Sequence, residues 1–195
     1  MVLQESTRFA VLCSSNMNRS MEAHAFLAKK GYTVESYGTG DKVKLPGSSP
    51  DKPNVYEFGT TYEFIYQDLL RKDKSLYTQN GLLHMLDRNR RIKEMPERFQ
   101  ENKKKFEVII TCEERVYDQA VEYLDSNLPE DNIPVHVINI DIQDNHEEAT
   151  IGAFLICELA SMLCAVEDLD NEIDELLLDF EAKAQRKILH CIYFY

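Results

Sequence analysis

The fold of this chain is decided by one segment near its amino terminus, FAVLCSSNMNRS at residues 9–20. Its first four residues, Phe9 to Leu12, form the short continuous apolar run that a buried parallel strand shows. A Ser/Asn loop follows, and Met21 to Lys30 then has the pattern of a helix that stops at Gly31, a residue type common just past helix ends. The segment therefore predicts a buried strand that leads through a polar loop into a helix.

Strands and helices alternate along the rest of the chain. Further strands are predicted at Thr33 to Ser36, Phe106 to Cys112, Val135 to Ile140 and Ile188 to Tyr195. Helices are predicted at Tyr62 to Lys72, Leu76 to Asp87, Glu114 to Leu124, Thr150 to Val166 and Leu169 to Ala184. Gly38 to Asn54 is rich in Gly and Pro and predicts a long ordered loop. This order predicts a three-layer α/β fold, with a mainly parallel central sheet and helices on both faces, in one domain over residues 1–195.

Composition excludes several classes of function. The chain has 22 basic and 34 acidic residues, a formal charge of −12, which argues against direct binding to nucleic acid. The five cysteines are odd in number and widely spaced, as expected for reduced thiols inside a cell. No Cys-x-x-Cys pair or ligand-like histidine spacing occurs, so we expect no metal and no cofactor. The longest apolar run, Ile151 to Val166, is short for a membrane span, and no signal peptide is apparent, so we expect a soluble intracellular protein without membrane contact.

Eight basic residues lie close together between Arg88 and Lys105. The first interpretation is a solvated surface, because runs of charged residues usually lie on a solvent-exposed face. The second interpretation is a patch that attracts a phosphorylated partner.

The loop after the first strand carries the residues of a phosphate site. Cys13 lies at the carboxyl end of a strand and before a helix amino terminus, where the thiolate is favoured. Backbone N–H groups of Ser14, Ser15, Asn16, Met17 and Asn18 are expected to form an anion nest, and Asn tolerates the left-handed backbone that such a loop needs. Arg19 can grip two phosphate oxygens, and Ser20 can donate a hydrogen bond to the thiolate. We therefore predict a cysteine nucleophile; the alternative is a small buried cysteine in a turn.

A thiolate that attacks a phosphate ester also needs a proton donor for the leaving alkoxide. The segment DIQDNH at residues 141–146 follows the fourth strand and should emerge at the same sheet edge as Cys13. Asp144 is the first candidate for the general acid. Asp141 is the second, and either aspartate could instead cap the next helix.

Long blocks of the chain closely resemble one family, the phosphatases that act on the fifth-position serine in the heptad repeats of the RNA polymerase II carboxyl-terminal domain. The resemblance runs from about Phe9 to Tyr195. The matching blocks, besides the Cys13 loop, are RSMEAH at 19–24, KLPG at 44–47, DKPNVY at 51–56, YTQNG at 77–81, HMLDRN at 84–89 and CEERVYD at 112–118.

The resemblance implies a fold similar to low-molecular-weight protein tyrosine phosphatases, with additional helices and an extra carboxyl-terminal strand. It implies a phosphocysteine intermediate on Cys13, phosphate binding by Arg19 and an acid at Asp144. It also implies a phosphoserine-proline substrate with a cis peptide bond, a minor species in unfolded peptides. The groove that holds this turn is assigned by resemblance to Lys44, Leu45, Pro46, Tyr77, Leu82 and Met85.

The family acts in transcription termination and mRNA 3′-end processing, bound to the scaffold protein symplekin within the cleavage and polyadenylation machinery, so a nuclear location is expected, with the cytoplasm as a second location. These partners are implied by the resemblance alone. The acid loop continues Asn145-His146 and lacks the aromatic pair that flanks phosphotyrosine in tyrosine phosphatases, although an aromatic from another loop could take that place.

Two other functions remain open at this point. The same loop occurs in arsenate reductases and tyrosine phosphatases; a reductase needs a relay of nearby cysteines, and only Cys112 is predicted near the same edge. A noncatalytic subunit that binds phosphorylated tails is the second alternative. The intact set of Cys13, Arg19 and Asp144 argues against it.

Overall fold

The central sheet determines where the site lies. The computed structural model describes residues 7–195. Its strands are β1 (Arg8–Cys13), β2 (Thr33–Gly38), β3 (Val43–Leu45), β4 (Asn54–Tyr56), β5 (Val108–Thr111), β6 (Pro134–Ile140) and β7 (Ile188–Phe194). Five of them form one sheet in the order β2-β1-β5-β6-β7, in which only β7 is antiparallel to its neighbour. The predicted mainly parallel sheet with an added carboxyl-terminal strand is confirmed.

Six α-helices connect and cover the strands: α1 (Arg19–Lys29), α2 (Tyr62–Gln79), α3 (Leu82–Ile92), α4 (Glu114–Ser126), α5 (His146–Ala165) and α6 (Leu169–Ala184). Alternate residues of each buried strand face opposite layers. Phe9, Val11 and Cys13 of β1 pack toward α1, α5 and α6, whereas Ala10 and Leu12 pack toward α4. Since consecutive residues of β1 are apolar and point to opposite faces, both faces of the sheet must be covered. The predicted arrangement of helices on both faces is confirmed.

Several predicted boundaries were wrong. The predicted loop from Gly38 to Asn54 contains β3, which pairs with β4 in a small antiparallel sheet. The interruption predicted after Lys72 is present as a kink at Asp73, whose backbone is not helical and whose carboxylate accepts from the Leu76 N–H at 3.0 Å. The predicted helix from Leu76 to Asp87 is wrong, because the chain leaves the helix at Gly81, whose φ of +82° a side-chain-bearing residue rarely adopts. Helix α5 also begins four residues before the predicted Thr150.

Helix α5 combines 20 residues with a mean hydropathy of 1.6, and by length and composition it alone among the described helices could cross a membrane. In this fold the helix is a core element. Its buried side chains, including Ile156 and Leu159, join the same apolar cluster as β1 and β6. On its outer side, Phe154 contacts Phe26 of α1 edge to face, with ring centroids 4.9 Å apart.

Phe180 of α6 offers a test of this core. Its side chain is fully buried, so Phe180→Ala should lower the free energy of unfolding by about 3–5 kcal/mol. Urea unfolding followed by circular dichroism measures this loss. The matched control is Leu178→Ala on the exposed side of the same helix, which should change stability by less than about 0.5 kcal/mol. Equal effects of the two substitutions would contradict the packing described.

Candidate active site

Cys13 ends β1 at the carboxyl edge of the sheet and lies in a cavity of about 270 Å³. Parallel strands bring their carboxyl ends to one edge, so loops distant in sequence meet there. Twelve of the predicted site residues line the cavity: Cys13, Ser14, Ser15, Met17, Asn18, Arg19, Lys44, Leu45, Pro46, Leu82, Met85 and Asp144. Asn80, Asn145 and His146, to which no role was assigned from the sequence, complete the lining.

Asn16 and Ser20, both fully buried, support the loop from within. Asn16 has a left-handed φ of +54°, and its Oδ1 accepts from the Glu97 backbone N–H at 3.1 Å. This bond fixes the orientation of the amide, so Nδ2 donates to Ser20 Oγ at 3.0 Å. Because Ser20 Oγ accepts there, its own hydrogen is free for Cys13 Sγ, 3.0 Å away. The geometry provides the predicted Ser20 donor to the sulfur.

Arg19 begins α1, and its side chain is only 4% exposed. Nη1 donates to Glu113 Oε2 at 2.7 Å and to the Ile142 carbonyl at 2.9 Å. Nε is buried without a hydrogen-bond partner among the described residues. Burial lowers the pKa of Arg19, but the surrounding acidic groups, Cys13 first, raise it more strongly, so the net pKa lies above its usual value. The guanidinium stays charged, and its N–H groups other than those of Nη1 remain available to donate to an anion.

The two candidate acids lie in different surroundings. Asp144 lines the cavity with Cys13, accepts from Asn18 Nδ2 at 3.0 Å and lies 3.6 Å from Arg19 Nε. Asp141 lies behind the loop, where its carboxylate accepts from Asn139 Nδ2 at 3.0 Å. Neither aspartate caps α5, because the side chain of Asn145 accepts from the Glu148 N–H. The acid loop thus presents one carboxylate to the cavity.

The predicted groove has two walls from separate elements. Lys44, Leu45 and Pro46 lie on and just after β3, while Leu82 and Met85 lie on α3 across the cavity. Tyr77, the sixth predicted residue, is 3% exposed and packs in the same apolar cluster, with its hydroxyl accepting from Asn54 Nδ2 at 2.9 Å. Within the described part of the chain, Tyr77 supports the groove from behind and does not line it.

Sequence reasoning missed the residues that hold the loop from α2 and α3. Tyr62 OH donates to the Asn16 carbonyl at 2.7 Å. The Met17 carbonyl accepts from Asn89 Nδ2 at 2.7 Å and from Arg88 Nη2 at 2.9 Å. These contacts join segments about 45 to 70 residues apart, so no local pattern could have predicted them.

The basic segment is largely neutralised within the chain. Seven of its eight side chains contact carboxylates: Arg88 with Glu22, Arg90 with Glu63 and Asp87, Arg91 with Asp87, Lys93 with Glu97, Arg98 with Asp41, Lys104 with Glu35, and Lys105 with Asp131. Lys103 is the exception among the described residues. This pairing favours the solvated surface over a free patch for a phosphorylated partner.

Cys112, the cysteine predicted near the same edge, follows β5 and is fully buried. Burial raises its pKa well above the usual thiol value. A relay cysteine must ionise to attack a disulfide or a cysteine adduct. The environment of Cys112 therefore disfavours the reductase alternative.

A mainly parallel sheet that presents Cys-x5-Arg-Ser at its carboxyl edge, with a carboxylate across the cavity, defines the class of cysteine-dependent phosphatases. The family model described as Ssu72-like protein matches residues 7–195. The chain belongs to this family. It is 66% identical over 188 residues to the human RNA polymerase II C-terminal domain phosphatase SSU72, a match that covers 96% of this chain and 97% of the human protein. The Caenorhabditis elegans relative, ssup-72, is 57% identical over 190 residues and 96% of each chain.

Solved structures agree over nearly the whole length. Drosophila melanogaster Ssu72, in a complex with symplekin and a cis peptidomimetic phosphopeptide of the C-terminal domain, superposes with a TM-score of 0.95 at 60% identity, covering 98% of this chain and 100% of that one. A second Drosophila structure, described as the serine phosphatase of the RNA polymerase II C-terminal domain, has a TM-score of 0.95 at 62% identity over 97% of this chain.

Proposed function

We propose that this protein is a phosphatase of the RNA polymerase II C-terminal domain that removes phosphate from phosphoserine-proline with the peptide bond cis. Membership of the Ssu72-like family carries the assignment of the enzyme and its substrate. The cis form is supported by the related Drosophila Ssu72, which binds a cis peptidomimetic phosphopeptide. The corresponding groove of this chain lies beside Cys13, in a cavity of about 270 Å³ with Leu45 and Pro46 on one side and Met85 on the other.

The lining of the cavity supports phosphoserine over phosphotyrosine. None of the residues that line it within residues 7–195 is a phenylalanine, tyrosine or tryptophan. A phosphotyrosine ring would therefore find no such ring on which to stack, whereas a proline ring can pack against Leu45, Leu82 and Met85.

The first chemical step transfers the phosphoryl group to sulfur. The Cys13 thiolate, stabilised by the hydroxyl of Ser20, attacks phosphorus while the bond to the serine oxygen breaks. Arg19 and the loop N–H groups hold the three equatorial oxygens, and Asp144 in its acid form gives its proton to the leaving serine oxygen. The products are dephosphorylated peptide and a phosphocysteine.

The second step restores the enzyme. The Asp144 carboxylate takes a proton from a water molecule as its oxygen attacks phosphorus, and the bond from phosphorus to Cys13 Sγ breaks. Inorganic phosphate leaves, and the thiolate and the protonated carboxyl group are regenerated. The two steps as described use only side chains of the chain, backbone N–H groups and water, and they require no metal or cofactor.

Turnover of heptad peptides tests the proposal. A peptide phosphorylated on the fifth-position serine should be cleaved in a fast phase that equals its cis fraction, roughly 10–30%, and then at the rate of isomerisation. Added prolyl isomerase should abolish the slow phase, and a matched peptide with alanine in place of the following proline should be a poor substrate. Turnover of phosphotyrosine peptides without turnover of the heptad peptide would overturn the assignment.

We further propose that the protein works in the nucleus with symplekin in mRNA 3′-end processing. The support is that the related Drosophila enzyme, 60% identical, forms a complex with symplekin. Co-purification of symplekin with the chain from nuclear extract, retained in the Cys13→Ser variant, tests this partner. A chain found only in the cytoplasm and without symplekin would contradict it.

A further inference from the structure

Glu113 makes two contacts to the catalytic loop although it lies about a hundred residues away in sequence. It comes after β5 and Cys112, at the same sheet edge as Cys13, and directly precedes α4. Its Oε2 accepts from Arg19 Nη1 at 2.7 Å, and its Oε1 accepts from Ser14 Oγ at 3.2 Å. One carboxylate thus holds both ends of the loop that surrounds the phosphate position.

These contacts decide which part of the guanidinium is left for the substrate. Arg19 Nη1 is occupied by Glu113 and by the Ile142 carbonyl. Because the guanidinium is planar and rigid, fixing Nη1 also fixes the direction of the remaining N–H groups. The buried Nε has no hydrogen-bond partner among the described residues and lies 3.6 Å from Asp144 Oδ1, so it is a donor left for an incoming phosphate oxygen.

A carboxylate near a phosphate site is unfavourable for binding, because its negative charge repels the negatively charged phosphate. The position of Glu113 therefore requires an explanation. Glu113 does not line the substrate cavity within the described residues; it lines a separate cavity behind the acid loop, with Asp141 and Arg186. Its charge therefore acts through Arg19, whose side chain is only 4% exposed. A buried guanidinium without such a partner would be costly and free to choose other orientations.

We propose that Glu113 is a positioning residue that orients Arg19 for the phosphoryl group and, through Ser14, fixes the start of the loop. The inference rests on the proposed phosphatase function. In the step that transfers the phosphoryl group, Glu113 forms no bond to the substrate and gains or loses no proton.

Glu113→Ala tests the role in the full-length protein. A misdirected Arg19 should lower kcat for p-nitrophenyl phosphate about tenfold to a hundredfold, since small misplacements of catalytic groups cost rate on this scale. Glu113→Gln, which keeps the acceptor for Arg19, should recover part of the loss. The matched control is Glu114→Ala, an exposed neighbour on the first turn of α4, which should behave as the unsubstituted protein. Equal rates for Glu113→Ala and Glu114→Ala would overturn the proposal.

A double-substitution cycle separates positioning from general support of the fold. If Glu113 acts through Arg19, Glu113→Ala should cause no more than about a twofold further loss when Arg19 is already alanine. If the activity loss of the double variant equals the product of the losses of the two single variants, the proposal is overturned. A fall in the thermal unfolding midpoint that accounts for the lost activity would also overturn it.

Alkylation of Cys13 by iodoacetamide provides a readout without turnover. Inorganic phosphate should protect Cys13, and Glu113→Ala should require at least about tenfold more phosphate for the same protection. Unchanged protection would overturn the role in phosphate binding. If the heptad peptide is not turned over but protection weakens as expected, the substrate assignment fails while the positioning role stands.

Discussion

Replacing Cys13 with serine is expected to lower turnover of every phosphate ester by at least about 10,000-fold, because a serine hydroxyl stays protonated and is a far weaker nucleophile than a thiolate. Binding of the phosphorylated heptad peptide should persist, since Arg19 and the loop backbone are unchanged. Steady-state kinetics and calorimetric titration measure the two quantities. Cys164→Ser, a half-buried thiol on α5, is the control and should keep normal rates.

This experiment also decides between an enzyme and a noncatalytic subunit. Residual turnover close to that of the unsubstituted protein would refute the cysteine mechanism. Loss of turnover with retained peptide binding is the result that a catalytic thiolate requires. In that case the complex of the Cys13→Ser variant with the phosphorylated peptide would be stable enough for the bound peptide to be examined.

Asp144→Asn should reveal the general acid through the leaving group. An amide cannot donate a proton of comparable acidity, so hydrolysis of a phosphoserine peptide should fall about 100- to 1,000-fold. Hydrolysis of p-nitrophenyl phosphate should fall much less, because nitrophenolate leaves without protonation. Steady-state kcat values for the two substrates measure the difference.

The matched variant is Asp141→Asn, which alters the carboxylate that bonds Asn139 behind the loop. It should leave the ratio of the two rates unchanged. Equal losses on both substrates for Asp144→Asn would point to a structural role, and a selective loss for Asp141→Asn would transfer the acid function to that residue.

Most of the fold could be predicted because its signals are local. The apolar run before Cys13 and the glycine after α1 placed β1 to within about one residue and α1 to within about two residues at each end, and α6 matched in full. The small sheet of β3 and β4 was not predicted, because a three-residue strand has too short a pattern to stand out from a loop. The interruption after Lys72 was predicted and is present as the kink at Asp73, whereas the break at Gly81 was not predicted because apolar residues continue on both sides of this glycine.

The site was predictable to the extent that chemistry constrains residue type. Cys13, Arg19 and Asp144 follow from what phosphoryl transfer to sulfur needs, and the structure brings them to one cavity. The role of Glu113 was not predicted from its sequence block. Its place directly after the predicted strand Phe106 to Cys112 was a usable signal, because ligands of such folds bind at the carboxyl ends of the parallel strands.

Helix α3 connects recognition to reactivity. Its first half supplies Leu82 and Met85 to the groove wall, and one turn further on Arg88 and Asn89 hold the Met17 carbonyl of the catalytic loop. An evolving enzyme therefore could not exchange this helix for a new specificity without also disturbing the loop that does the chemistry. New substrates are more accessible through changes on the Lys44–Pro46 side, where a mutation can reshape the groove and leave the Met17 support in place.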